Sequence, residues 1–103
     1  MDADYRMKFI FTKKGQMRYI SHLDLMRLFQ RAVRRAGIPV ALTQGFSPHL
    51  KISITRALKL GVESAGEEAV FHIDGQVAPQ VFMEAMNAKM PEGVKVLHVE
   101  EII

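Results

Sequence analysis

The first third of the chain carries two hydrophobic periods, which predict a strand followed by a helix. Apolar residues recur at every second position in the first segment: Tyr5, Met7, Phe9 and Phe11. This period predicts a half-buried strand over residues 5–12. A turn over 13–16 and an extended stretch over 17–20 should follow. An apolar stripe with helical spacing then predicts a helix that Ser21 caps and that ends at Gly37.

The rest of the pattern completes an α+β topology. It predicts, in order, a short strand over 40–43, a loop over 44–51, a strand over 52–55 with an irregular extension through Leu58 to residue 62, a strand over 69–74, a helix from Pro79 that ends at 91–93, and a strand over 94–99. The main elements follow the order βαββαβ. This order is typical of the ferredoxin-like fold, with an antiparallel sheet and both helices on one face.

Composition limits the classes of protein to consider. The chain has 103 residues, of which 49% are apolar and 24% charged, so we expect one globular domain over residues 1–103. The absence of cysteine excludes a disulfide framework, a thiolate zinc site and an iron–sulfur cluster held by this chain alone. No apolar run is long enough to span a bilayer, and the first residues do not resemble a secretory signal. We therefore expect a cytoplasmic protein with no membrane partner.

Charge is distributed very unevenly along the chain. Residues 1–59 hold 12 Lys and Arg against 3 Asp and Glu, a balance of +9, whereas residues 60–103 hold 2 against 8, a balance of −6. Such asymmetry indicates a polyanionic partner, most often a nucleic acid. The alternative is that the two halves attract each other or a neighbouring domain.

The predicted first helix has an arginine-rich outer face. Four arginines fall within about 100° of one another, opposite the apolar stripe: Arg27, Arg31, Arg34 and Arg35. Arginine is well suited to bidentate contact with phosphate, which favours a phosphate-binding face. The alternative is a solvated face, or one that pairs with acidic residues of the second half. Those acids are Glu63, Glu67 and Glu68.

The predicted loop over 44–51 combines flexible, aromatic and basic residues. Gly45 and Pro48 shape it, and Phe46, His49 and Lys51 could stack on an unpaired base and contact its phosphate. The alternative is that Phe46 folds inward as part of the core. The full predicted nucleic-acid surface joins this loop and the four arginines to three cations of the preceding turn. Those three are Lys13, Lys14 and Arg18.

Two further groups are candidates for chemistry. His22, Asp24 and His49 could bind a metal or act in acid–base catalysis, although His22 and Asp24 lie about 200° apart on a helix. A structural role is favoured, in which His22 and Asp24 hold the loop and the helix start by hydrogen bonds. Glu63, Ser64, Glu67 and Glu68 favour a salt-bridge network over the sheet, with capture of a substrate amine as the alternative.

Several segments resemble one bacterial family. They read KG at 14–15, RYISHLDL at 18–25, Arg31, RRAGIPV at 34–40, QGFSPHLK at 44–51, Leu58, GVES at 61–64 and Glu67. Together they are similar to the radical SAM-linked protein family, a domain of unknown function. It occurs alone or fused to the carboxyl end of cobalamin-binding-type radical SAM proteins. In this chain, Leu50 stands where the family usually has proline.

The resemblance implies a role beside a radical SAM enzyme. Family members are often encoded near ribonuclease G and ribosomal proteins, which implies an RNA or ribosome context. S-adenosylmethionine and the iron–sulfur cluster would belong to the partner, and this chain would bind no cofactor. The family domain is usually longer, so residues 1–103 would be its amino-terminal portion. We therefore expect a ribosome-associated or RNA-binding accessory module without catalytic activity. The alternatives are a protein-docking module and a small enzyme built on His22, Asp24 and His49.

Overall fold

The computed structural model describes residues 5–56 and 59–102. The main elements are β1 (Arg6–Lys13), α1 (His22–Ala36), β2 (Ile52–Ile54), β3 (Ser64–His72), α2 (Pro79–Asn87) and β4 (Val96–Ile102). The four strands form one antiparallel sheet in the order β2-β3-β1-β4. This is the ferredoxin-like βαββαβ arrangement that the sequence pattern predicts.

A cluster of phenylalanines joins the sheet to both helices. Phe9 on β1 and Phe71 on β3 lie 4.9 Å apart between ring centroids, with the rings nearly perpendicular. Phe29 of α1 and Phe82 of α2 each contact both of these rings. All four side chains are fully buried. Because one pair of sheet residues contacts both helices, the helices lie on the same face of the sheet, as predicted.

The predicted limits of α1 are confirmed by its capping contacts. The Ser21 hydroxyl accepts a hydrogen bond of 3.0 Å from the Asp24 amide. At the other end, Gly37 adopts the left-handed conformation with φ of 70°, which a residue with a side chain rarely adopts. Polar and glycine positions in the sequence are therefore sufficient to place both ends of α1.

Helix α2 ends earlier than the sequence predicts. It stops at Asn87, before the predicted end at residues 91–93. The Asn87 side chain donates to the Val96 carbonyl at 3.0 Å and accepts from the Val96 amide at 2.8 Å. These bonds satisfy the backbone carbonyl and amide of Val96 at the start of β4. The end of α2 is therefore set by a contact with a strand that lies nine residues further along the chain.

Other predictions were wrong about the ends of elements. The stretch over 17–20 is not extended, because Gly15–Tyr19 forms a 3₁₀ helix closed by bonds such as Met17 N–H to Lys14 O. Strand β3 begins at Ser64, and β4 spans Val96–Ile102 because its register with β1 pairs Arg6 with Ile102. The predicted strand over 40–43 has only isolated bridges. Of the predicted extension of the strand over 52–55, Leu58 lies outside the described residues, whereas Leu60 and Gly61 form a turn in which the Val62 amide donates to the Lys59 carbonyl at 3.4 Å.

The helices are too short or too polar to cross a lipid bilayer. This holds for every helix within residues 5–56 and 59–102.

The phenylalanine cluster should dominate stability. We expect Phe9→Ala to lower the free energy of unfolding by about 3–5 kcal/mol, because it removes a buried ring from contact with both helices. The matched control is Phe46→Ala, since Phe46 is 109% exposed and should change stability by less than about 0.5 kcal/mol. Urea denaturation of both variants measures the difference. Equal losses would contradict the assignment of Phe9 as the centre of the core.

Candidate functional site

The outer face of α1 carries four arginines, three of which have no partner among the described residues. Arg27, Arg31, Arg34 and Arg35 are all exposed. Arg27 forms an ion pair of 3.4 Å with Asp24. The other three form no ion pair and no side-chain hydrogen bond within the described residues. This face of α1 is therefore positively charged and largely uncompensated.

The acidic residues that could have neutralised this face have other partners. Glu67 pairs with Arg56 at 3.1 Å, and Glu68 pairs with Lys8 at 3.4 Å. Glu63 accepts a hydrogen bond of 2.7 Å from the Gly15 amide. The prediction of ion pairs over the sheet is confirmed for Glu67 and Glu68. The alternative in which these acids cover the α1 arginines is wrong.

The segment between α1 and β2 forms a hairpin. The Thr43 amide donates to the His49 carbonyl at 2.7 Å, and the Lys51 amide donates to the Ala41 carbonyl at 2.8 Å. Gly45 and Pro48 are exposed in the loop at its tip, and Phe46 there is fully exposed. The alternative in which Phe46 enters the core is therefore wrong.

His49 has a local role in this hairpin. Its ring Nδ1 lies 3.3 Å from both the Thr43 hydroxyl and the Ser47 carbonyl. Its backbone amide also donates to the Thr43 hydroxyl at 3.1 Å. The His49 ring therefore stabilises the loop, while Phe46 and Lys51 remain exposed without a side-chain hydrogen bond or ion pair among the described residues.

The predicted nucleic-acid residues divide between two ends of the molecule. Helix α1 runs from the carboxyl end of β1 toward the end where Val40 bridges Ile73, and the hairpin follows there. Lys14 and Arg18 lie before α1, at the opposite end. With 15 residues, α1 separates the two ends by about 22 Å. We name the hairpin end, with Arg31, Arg34, Arg35, Phe46 and Lys51, the helix–hairpin surface.

The group of His22, Asp24 and His49 is not assembled. His22 and Asp24 begin α1, whereas His49 lies beyond its far end. No group of three or more His, Cys, Asp or Glu suited to a metal occurs among the residues that the structure describes. Asp24 does stabilise the helix start through Ser21 and Arg27, but the expected link from His22 and Asp24 to the loop is absent there. The structure therefore does not bring these three side chains together into one site.

At the end of the sheet opposite the hairpin, buried charged side chains follow the apolar residues of the core. Phe11 of β1 pairs with Glu67 of β3, and Lys13 pairs with Ser64. Lys13 is 0% exposed and Glu67 is 3% exposed. Both border a pocket of about 340 Å³, the Lys13–Glu67 pocket. Its lining residues are Lys13, Arg56, Lys59, Val62, Glu63, Ser64 and Glu67.

Glu67 is held as a carboxylate in this cluster. Arg56 donates to its two oxygens from Nε at 3.3 Å and Nη2 at 3.1 Å, and the Ser64 hydroxyl also donates to it. Burial raises the pKa of Glu67, but these hydrogen bonds and the positive charges of Arg56 and Lys13 outweigh that effect. The net result is a pKa below the ordinary value of 4.5.

Lys13 cannot serve in the predicted phosphate-binding surface. Its ammonium donates a hydrogen bond of 2.6 Å to the Lys59 carbonyl in the interior. The burial of Lys13 was not predicted, because the predicted first strand ended at residue 12 and the later one began at 69. Continued alternation from Phe11 to Lys13, and back from Ala69 to Glu67, would have placed both charges inward. The sequence pattern contains no comparable signal that would place Arg56 or Lys59 beside this cluster.

Segments that carry the family resemblance meet at this pocket. The Gly15 amide bonds Glu63, and the Gly61 amide donates to the Arg18 carbonyl at 2.6 Å. Tyr19 packs against Gly61, and the Arg18 guanidinium lies 4.5 Å from the centre of the Tyr19 ring. The segment over 44–51 instead forms the hairpin. The resemblance therefore covers two separate structural sites.

The lowered pKa of Glu67 predicts a specific dependence of stability on pH. Because the folded state favours the carboxylate, its stabilisation is present above pH 4.5 and is lost as the pH falls through the lower folded value. We expect Glu67→Gln to lower the free energy of unfolding at pH 7 by about 1–3 kcal/mol. Below about pH 4 the difference in free energy of unfolding between wild type and this variant should become smaller. Chemical denaturation of both proteins from pH 7 to pH 3 measures this difference.

The matched control for this change is Glu92→Gln. Glu92 is exposed and makes no side-chain hydrogen bond or ion pair among the described residues, so its substitution should leave the pH profile of wild type intact. A Glu67→Gln protein that is destabilised equally at every pH would contradict the role of the charged form.

Comparison with known proteins places the chain in a family. No curated protein matched it. Residues 5–103 match a family described as an uncharacterized protein conserved in bacteria, DUF2344. The match covers almost the whole chain, including both the Lys13–Glu67 pocket and the helix–hairpin surface. The chain therefore belongs to the DUF2344 family of uncharacterised bacterial proteins.

Proposed function

We propose that this chain binds RNA, or the RNA of a ribonucleoprotein, through its helix–hairpin surface and serves as an accessory module of a radical SAM enzyme. The observation that carries the proposal is the set of three exposed arginines on α1 that have no partner in the described structure. The other elements of the surface agree with it in chemistry and in position.

Arginines arranged in this way favour a polyanion. Arg34 and Arg35 lie three and four residues after Arg31, so each is a neighbour of Arg31 on the helix surface and repels it by a few tenths of a kcal/mol. Phosphates spaced along a nucleic acid would relieve that repulsion. Each guanidinium also offers a planar fork of donors that matches phosphate oxygens.

Phe46 supports a partner with unpaired bases. The ring of Phe46 is fully exposed at the tip of the hairpin and contributes no packing there. Stacking of a base on this ring would contribute on the order of 1–3 kcal/mol to the free energy of binding. Lys51 is exposed at the base of the hairpin, and its ammonium would contact a neighbouring phosphate. Single-stranded RNA offers unstacked bases, whereas duplex RNA does not.

The accessory role rests on the resemblance and on composition. The radical SAM-linked family supplies the link to a radical SAM enzyme and to a ribosomal context. Because this chain lacks cysteine, the partner would hold both the cluster and S-adenosylmethionine. The chain would then recognise the RNA on which the partner acts and would have no catalytic role itself.

Salt dependence of RNA binding tests the phosphate-binding role. We expect binding to total tRNA and ribosomal RNA fragments to weaken steeply with salt, because bound phosphates release counterions. Arg31→Glu/Arg35→Glu should weaken binding at least tenfold and reduce the slope of log K against log salt by about 2. The measurement is fluorescence anisotropy over a series of potassium chloride concentrations.

A second charge reversal provides the control. Lys89 and Lys95 are exposed and lie in the segment around the start of β4, away from α1. Lys89→Glu/Lys95→Glu makes the same change in net charge, so its effect should be much smaller. Equal losses of RNA affinity in both double variants would mean that binding depends only on net charge, and would overturn the proposed surface. If no RNA binds but a radical SAM protein binds in a charge-dependent way, protein docking replaces RNA recognition.

The role of Phe46 is tested by comparing single-stranded and duplex RNA. We expect Phe46→Ala to weaken binding to a single-stranded oligonucleotide about tenfold, because a stacking contact is lost. Binding to a duplex of equal length should change by less than twofold. Competition assays with the two RNAs measure this ratio. Equal effects on both would contradict base stacking by Phe46.

A further inference from the structure

The Lys13–Glu67 pocket lies at the end of the sheet opposite the hairpin. Its floor is formed by Lys13 and Glu67, which are buried, while Lys59, Val62 and Glu63 are exposed along its wall and rim. Its volume of about 340 Å³ is at the lower end of the range for sites that bind small molecules. A long polymer would not fit inside it.

The carboxylates of the pocket are already engaged. Glu67 accepts from Arg56 and from Ser64. Glu63 accepts from the Gly15 amide at 2.7 Å. Neither acid lies within ion-pair distance of a lysine that lines the pocket, among the residues described. The acids therefore shape the site and leave its lysines without a direct counterion.

The cations of the pocket have unused donors. The Lys13 ammonium has three N–H groups and one hydrogen bond in the described structure, to the Lys59 carbonyl. Lys59 itself has no side-chain partner there. Arg56 uses Nε and Nη2 on Glu67, and its side chain is otherwise 74% exposed. Lys13 is fully buried, so its charge would attract a bound anion through the floor of the pocket, whereas Lys59 and Arg56 offer the exposed donors.

The site is also held in shape before any ligand binds. Hydrogen bonds from Gly15 to Glu63 and from Gly61 to Arg18 join the 3₁₀ helix to the segment before β3. The Lys14 amide donates to the Gly93 carbonyl at 2.9 Å, and a side chain at position 93 would clash with the Lys14 carbonyl. Preorganisation of this kind lowers the entropic cost of binding.

We propose that the Lys13–Glu67 pocket binds the phosphate group of a small molecule. Three cations, Lys13, Lys59 and Arg56, outnumber the two carboxylates of Glu63 and Glu67 in the lining, and compact ammonium groups are common phosphate ligands. This site is separate from the helix–hairpin surface and does not rest on RNA binding there.

Titration with inorganic phosphate tests the proposal on the intact chain. The readout is the amide spectrum of the ¹⁵N-labelled protein at constant ionic strength, followed at Gly15, Gly61 and Ser64. We expect saturable shifts at these amides. Lys59→Met should weaken binding about tenfold by removing one ammonium while the backbone acceptor of Lys13 stays in place. The matched control, Lys14→Met, alters an exposed lysine that does not line the pocket and should change affinity less than twofold.

The other arms decide the nature of the site. Acetate should bind more weakly than phosphate, and Arg31→Glu/Arg35→Glu should bind phosphate as wild type does. Absence of saturable shifts, equal weakening by Lys59→Met and Lys14→Met, or acetate binding as tight as phosphate binding would each overturn the proposal. Loss of phosphate binding in the α1 double variant would overturn the separation of the two sites.

Discussion

Phe9 contacts the rings of four other phenylalanines, and the positions of both helices depend on these contacts. Its partners come from β1, β3, α1 and α2, so one side chain connects each layer of the fold. Most of these pairs meet edge to face or tilted, which is the favoured geometry for aromatic rings. The short strand β2 pairs with β3, so its position also depends on the packing of Phe71 in this cluster. The outer face of α1 is turned to solvent because its inner face is held against Phe9 and Phe71.

The polar cluster at the end of β1 is an interruption of the same core. Inward positions that begin with phenylalanine end with Lys13 and Glu67, which are charged and buried. Apolar residues there would give ordinary packing, and buried ion clusters are weak evidence for stability. The cost is reduced because Arg56, Ser64 and the Lys59 carbonyl supply hydrogen bonds. The burial of charged residues at a cost in stability agrees with the binding function that we propose for the pocket.

The two candidate sites differ in shape and in the ligand they suit. The helix–hairpin surface is exposed, and it includes the ring of Phe46 and three guanidinium groups of α1. Its chemistry suits an extended polyanion. The pocket is concave and small, with ammonium donors near its floor. The two sites lie toward opposite ends of α1, which is about 22 Å long.

Local patterns in the chain were sufficient for the order of the elements, the βαββαβ topology and both ends of α1. These follow from alternation, helical spacing and capping residues, which act between neighbours. The charge asymmetry and the arginine face of α1 also follow from the sequence. The exposed position of Phe46 does not follow from it, because hydrophobic alternation cannot distinguish a loop residue that points outward from one that folds inward. The pocket depends on register: Lys13 and Ser64 are 51 positions apart, and only strand pairing makes them neighbours. Hydrogen bonds between distant segments likewise set the end of α2 and the start of β3, because the chain could satisfy those backbone groups only after the sheet had formed.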